Sequence, residues 1–319
     1  MPLSPRASVL IAAVCFGTTG TAQALGPSDA RAVAVGSGRI ALGGALLVAI
    51  ALVTLRRAPS PEADVAGSRW PGAPVLVLAG ACVAAYQLCF FAAVQRTGVA
   101  VGTVVAIGSG PAFAGVLGWI VAREAPGRRW AAATALACAG VALLVLGGST
   151  ASASGGGIAL ALGAGAGYAS YTVIAKQLLR AGHRPEIVMA GAFGAGGALL
   201  LPVLALTAGS WLGTPGGLGL ILFLGVVPTA LAYVLFARGL RELTAGETAT
   251  LTLAEPLTAA ALGAVVLGER PGTLSTAGAG FVLCGLLALA LGRRPAPVVP
   301  AGTAVLVAAG RPDAAEATR

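Results

Sequence analysis

Apolar residues run along this chain in blocks of about 20, the length an α-helix needs to cross the hydrocarbon core of a bilayer. Ten blocks can be drawn, at 7–25, 32–55, 73–94, 99–121, 130–148, 157–175, 187–206, 218–237, 244–267 and 273–291. They predict an all-α polytopic membrane protein of ten transmembrane helices. Most connections are short, and the pairs meeting around Arg96 and Arg241 come closest to fusing. The first block has a rival reading, because Arg6, an apolar run and Ala22-Gln23-Ala24 imitate a signal peptide with its cleavage site. Cleavage would leave nine spans and remove the internal symmetry described below, so the block is expected to remain as a span.

The ninth block breaks the apolar pattern. Glu255 sits near its middle, immediately before Pro256. A charge at the bilayer centre costs roughly 2.5 to 3.5 kcal/mol on insertion scales, so it is kept only where it faces protein, water or substrate. Pro256 has no backbone N–H and crowds the carbonyl a turn earlier, which predicts a local opening of the helix. Thr244, Thr248, Thr252 and Glu255 follow one another at helical spacing and make one polar stripe, expected to face the inside of a bundle.

Composition agrees with the block pattern. The residues are 57% hydrophobic and 10% charged, with mean hydropathy +0.91, against about a quarter charged in a soluble domain. Abundant glycine, 48 residues, suits close packing of helices in lipid. Cys15, Cys82, Cys89, Cys138 and Cys284 lie in apolar blocks without the spacing of a metal site or a disulfide framework, and read as small buried hydrophobes. The one histidine, His183, sits in a basic connection, so neither a His-dependent triad nor a multi-His metal site is expected. The net charge of +9 is spread over the connections with no basic domain to hold a duplex, which argues against nucleic acid. No P-loop appears, so no ATPase engine is expected.

Basic residues set an orientation. With the N-terminus in the cytoplasm, every basic residue falls in a cytoplasmic connection or tail except Arg31, Arg39, Arg96 and Arg270. Both termini are then cytoplasmic, and the Pro/Ala-rich stretch from Arg293 onward reads as a loose tail.

The chain also repeats itself. Sliding it by 145 residues places Arg96 on Arg241, Thr103 on Thr248, Pro111 on Pro256, Gly118 on Gly263, Glu124 on Glu269 and Gly140 on Gly285 without a gap. Earlier in each half, Gly43-Gly44-Ala45-Leu46-Leu47 recurs as Gly196-Gly197-Ala198-Leu199-Leu200 at a slightly different offset. The organisation is five helices (1–148), a Ser/Gly linker (149–157), five helices (158–292) and the tail (293–319). Because five is odd, the second half enters the membrane upside down relative to the first. Two such inverted repeats allow a site between them to open alternately to either side.

The two copies of a five-helix unit, the Gly-Glu-x-Pro-Gly element at Glu269 with its near match at Glu124, Phe16-Gly17-Thr18 in the first helix, Arg39 opening the second and Glu255-Pro256 in the ninth resemble the EamA family of the drug/metabolite transporter superfamily. The resemblance covers about 7–292. It implies a ten-helix transporter in the plasma membrane that moves amino acids, other small metabolites or drugs, often outward, by alternating access. One departure stands out: small multidrug relatives rely on a glutamate in the first helix, and 8–25 holds no acid here. If protons are used, Glu255 is the main candidate.

The substrate-binding set expected from these observations is Glu255, Thr248, Thr252, Gln23, Tyr86, Gln87, Tyr168 and Thr172, with Tyr171 beside them. Pro111 and Pro256 are expected helix breaks, and Glu124 and Glu269 structural loop acids that cap the following helix or pair with arginine. Each has a blander reading. Glu255 reads equally as a hydrogen-bond partner for backbone opened at Pro256, the hydroxyls and amides as groups satisfying themselves across helix contacts, and Lys176 as a side chain reaching for the interface, while Arg39, near the outer end of the second helix, reads either as meeting an anionic group or as reaching for the interface. The function expected is a secondary transporter of a small, amino-acid-like organic solute, exporting it. Uptake by the same fold, or a non-transporting sensor or assembly protein, is the alternative. An enzyme is not expected, since the spans hold one acid and no histidine. Neither cofactor nor metal is called for. Partners would be a small-molecule substrate, protons as a possible coupling ion, and the bilayer, with monomer and homodimer both open.

Overall fold

The computed structural model of the chain describes residues 3–56, 70–123, 127–146, 154–268, 270 and 272–291. Ten of its helices are long and apolar enough to cross a membrane: α1 (Pro5–Ala24), α2 (Ala32–Arg56), α3 (Ala73–Gly98), α4 (Val101–Val121), α5 (Arg128–Val145), α6 (Gly155–Arg180), α7 (Pro185–Thr207), α8 (Pro215–Glu242), α9 (Ala245–Val266) and α10 (Thr273–Ala290). Among the described residues there is no strand. Every expected block is a helix, with the largest differences at α6 and α8, which run five residues past the apolar blocks to Arg180 and Glu242. Glu124, Glu269, most of the linker and the 293–319 tail lie outside the described residues.

Local chemistry marks the starts. Ser4, Ser154, Thr214 and Thr244 each accept a backbone N–H from the first turn of α1, α6, α8 and α9, satisfying donors a helix N-terminus leaves free. At Thr244 this grows into a capping box with Glu247. The two junctions that nearly fuse turn at matching positions with different backbone, left-handed φ at Gly98 and extended φ of -93° at Leu243. Between α3 and α4 the helical hydrogen bonding runs through Gly98, whose φ of 78° and ψ of 162° bend the rod, a conformation glycine adopts without steric penalty. Between α8 and α9 the corresponding residue under the 145-residue shift is Leu243, with ψ of 161°.

Glycines set how the helices meet. A methyl group at Gly140 of α5 would lie 2.5 Å from the Val282 nitrogen and 2.7 Å from the Gly278 oxygen of α10, while one at Gly285 would lie 3.0 Å from the Ala137 nitrogen and 2.7 Å from the Ala133 oxygen. The two contacts are the same contact with the halves exchanged. α2 and α7 repeat the relation: a methyl at Gly44 would strike the Phe193 carbonyl, and one at Gly197 would lie 3.0 Å from the Ile40 oxygen. In both pairs one helix advances as its partner recedes, so they cross antiparallel. Packing of α1 on α8 and α9 is matched by packing of α6 on α3 and α4, where Gly167 sits on the Cys82 carbonyl and Gly165 on that of Ala106.

The outer surface is apolar. Leu206, Val265 and Leu291 are about four-fifths exposed or more, at 85%, 84% and 78%. Such a surface is stable against lipid and an aggregation liability in water. The inside is built of alanines, glycines and a cluster containing Phe16, Tyr171, Phe193, Tyr233 and Phe236.

Candidate functional site

α9 is two helices, Ala245–Leu251 and Ala254–Val266. The interruption follows from Pro256. Lacking an N–H, it leaves the Thr252 carbonyl, one turn back, without its usual donor, and that carbonyl accepts from the Glu255 nitrogen at 2.9 Å instead. Leu253 likewise bonds back only three residues, to Thr250. Glu255 thus stands in the first turn of the resumed helix, half-buried, and among the described residues no hydrogen bond or ion pair reaches its carboxylate. Across from it α1 passes at Gly17, where a methyl would lie 2.7 Å from the Glu255 carbonyl oxygen. Pro111, the counterpart of Pro256, lies inside a helix that continues through it, and Cys138 of α5 donates to the nearby Gly108 carbonyl at 3.2 Å.

A chain of rings runs through the interior beside this point. Tyr86 (α3) lies 6.3 Å from Tyr168 (α6), Tyr168 5.4 Å from Tyr171, Tyr171 5.7 Å from Phe193 (α7), Phe193 3.8 Å from Tyr233 (α8), and Tyr233 4.9 Å from Phe16 (α1), measured between ring centres. Glu255 is within electrostatic reach of Tyr86, Tyr168 and Tyr233. Arg39 of α2, half-buried, is the one cation felt at Glu255 among the described residues, and it does not form an ion pair with it. A carboxylate and a guanidinium on different helices therefore share one aromatic-lined interior without neutralising each other by contact. The Tyr171 hydroxyl is buried there without a hydrogen-bond partner, close to Tyr233 but outside bonding geometry.

The other expected residues divide. The Thr252 hydroxyl bonds Tyr168 at 3.1 Å, joining α9 to α6 beside Glu255. Thr172 bonds the Tyr168 carbonyl and Thr248 the Thr244 carbonyl; both are fully buried, their hydroxyls turned to their own helices. Gln87 is buried against Gly36 of α2 and Phe91 lies beside it, so it packs between helices. Gln23 is in the last turn of α1, about 10 Å along the axis from Phe16 at 1.5 Å per residue.

The sequence left Arg39 between meeting an anionic group and reaching for the interface, read Lys176 as reaching for the interface, and did not mark Phe193 or Tyr233. Arg39 turns toward the interior. Lys176 is buried, 4% exposed, and donates to the Leu240 and Arg241 carbonyls. For the rings the available signal was their position on the small-residue faces of α7 and α8, but one-dimensional spacing does not say which faces converge. Among the described residues no cluster of three metal-ligating side chains occurs, and the cysteines are free.

Comparison with known proteins adds family to geometry. The EamA-like transporter family model matches residues 7–146 and again 155–291. An uncharacterized transporter of Bacillus subtilis (strain 168), YwfM, is 42% identical over 287 residues, 90% of this chain and 93% of that protein. An uncharacterized transporter of Archaeoglobus fulgidus is 34% identical over 122 residues, 38% of this chain and 42% of that one. A solved crystal structure superposes with a TM-score of 0.74 at 18% identity, covering 90% of this chain and 96% of its own, a likeness of fold.

Proposed function

Because the chain belongs to the EamA-like transporter family and is a multi-pass membrane transporter, we propose that it is a secondary transporter exporting a small, amino-acid-like organic solute across the plasma membrane by alternating access. In this reading both termini are cytoplasmic, and the working unit is two inverted five-helix repeats, 1–148 and 158–292, joined by a linker. The antiparallel, exchanged contacts of α2 with α7 and α5 with α10 support the inversion.

The observation that carries the reading is Glu255: a carboxylate without a bonded partner among the described residues, at the break of a discontinuous helix, in an interior shared with Arg39 and four tyrosines. Discontinuous helices at mid-membrane are where transporters expose backbone and charge to substrate. Glu255 would take a substrate ammonium or exchange a proton, and Thr252 with Tyr168 and Tyr86 would line the same path. No ion gradient is implied by geometry beyond a group able to hold a proton.

The test compares metabolites in cells and medium for a strain lacking the chain, one overproducing it, and one overproducing Glu255→Gln at equal membrane abundance. Expected is one class of compound moving outward with the wild type and at least about tenfold less with the variant, the loss of roughly one charge-assisted contact. Transport by Glu255→Gln equal to the wild type would remove Glu255 from the site.

A further inference from the structure

Lys176, the only lysine, makes a joint that the transport reading has not used. It is 4% exposed near the end of α6, and its ammonium donates to two carbonyls in the last turn of α8, Leu240 at 2.9 Å and Arg241 at 3.0 Å. A buried ammonium is unfavourable unless its charge is met. The last carbonyls of a helix lack donors within the helix and carry partial negative charge, so they are suited to meet it. The joint ties the end of α6 to the end of α8.

Its place relative to the site gives it a use. Lys176 is about 12 Å beyond Tyr168 along α6, and Leu240 about 10 Å beyond Tyr233 along α8, both toward the same end of the bundle. Ala175 and Leu179 of α6 and Phe236 and Leu240 of α8 fill the seam between, all buried in one cluster. A solute leaving the tyrosine-lined interior toward this end has to part that seam.

The opposite end differs. Exchanging the halves carries α6, α7 and α8 onto α1, α2 and α3. α6 packs on both α7 and α8, whereas α1 makes no packing of that extent on α2 or α3. Gln23, in the last turn of α1, is partly exposed. Two halves that otherwise make exchanged contacts thus depart from symmetry at the two ends, held together at one and loose at the other, as a two-state carrier is in either of its states.

We propose that Lys176 is the latch of the α6/α8 end: its hydrogen bonds to the Leu240 and Arg241 carbonyls hold the interior shut on that side and break when it opens there. This rests on the alternating-access reading above. Lys176 does not touch solute; it positions α6 against α8, and its loss shifts the balance of states toward opening at its own end.

The experiment places spin labels on full-length protein in lipid vesicles, with the native cysteines replaced. Ala181→Cys with Arg241→Cys reports the α6/α8 end, and Leu25→Cys with Arg96→Cys the α1/α3 end; all four positions are exposed. Expected for Lys176→Met is a rise of about tenfold in the ratio of long to short α6/α8 distances, the weight of one charge-assisted hydrogen bond. The α1/α3 pair should shorten in step, and Lys176→Arg should keep the starting distribution. Lys176→Gln, which keeps a donor without the charge, gives an intermediate shift and serves if the Met variant does not fold. Unchanged distance populations in the folded Met or Gln variant, or both ends loosening together, would overturn the latch and leave Lys176 a structural tie. If wild type moves no compound while the distances still respond, the latch stands and the transport reading falls; the reverse pattern removes the latch alone.

Discussion

At the scale of the residue, the interior depends on groups whose environment differs from their sequence neighbourhood. Glu255 has apolar residues on either side in the chain, yet it lies within electrostatic reach of Tyr86, Tyr168, Tyr233 and Arg39, all on other helices. Arg39 and Lys176 look alike in sequence, each a cation near the end of an apolar block, and only Lys176 finds carbonyl acceptors. Glycine is the other residue on which the molecule turns. At Gly140 an added methyl meets backbone nitrogen and oxygen of α10, which cannot move aside as a side chain end would. Gly140→Leu should therefore separate α5 from α10 and cost about 1 to 3 kcal/mol or more, read as a fall in melting temperature in detergent. Gly20→Leu, with nothing within reach of its added carbon, is the control expected to be near neutral.

At the scale of the element, α9 shows one residue re-aiming another. The missing N–H of Pro256 forces the Thr252 carbonyl to bond three residues on, which breaks the helix where Glu255 begins the second segment. Pro256→Ala restores a donor one turn after Thr252 and removes the ring, so the two segments should join and turn Glu255 away. The expected result is transport reduced at least about tenfold with melting temperature unchanged or raised, since proline in a helix interior costs about 3 kcal/mol. Loss of transport together with loss of folding would mean that the break is needed for the fold itself. α4 shows why the sequence motif alone does not decide this: Pro111 occupies the matching position, and its helix runs on through it.

At the scale of the whole molecule, ten helices divide their chemistry by end. Arg6 bonds the Ala290 carbonyl and pairs with Glu247 at 3.8 Å, Arg129 bonds the Ala288 carbonyl, Arg238 pairs with Glu186, and Lys176 reaches the end of α8. These contacts gather the start of α1, α5, α7 and α9 with the finish of α6, α8 and α10 at one end, while Arg31 and Arg96 belong to the other. The proposed orientation, in which short cytoplasmic connections keep arginine and lysine, puts the first end in the cytoplasm. A membrane-impermeant thiol reagent applied to intact cells should label Arg96→Cys and spare Arg241→Cys. Labelling in the opposite sense would invert the proposed orientation.

The span count, the near-fusions around Arg96 and Arg241, and the paired glycines at Gly44/Gly197 and Gly140/Gly285 were legible in the chain, because hydrophobic length and small-residue repeats are each properties of a few consecutive residues. Glu255 was legible for the same reason: a charge inside an apolar block is anomalous wherever the block ends up. The company it keeps was not. That Arg39 and Tyr233 come within electrostatic reach of it, that Phe193 packs on Tyr233, that Gln87 packs between helices and that Lys176 is buried on α8 depend on which faces of separate helices meet. In a chain whose helices are apolar on every side, no stripe of polarity marks the inner face, so that choice is made by small residues letting particular backbones touch, and it exists only once they have.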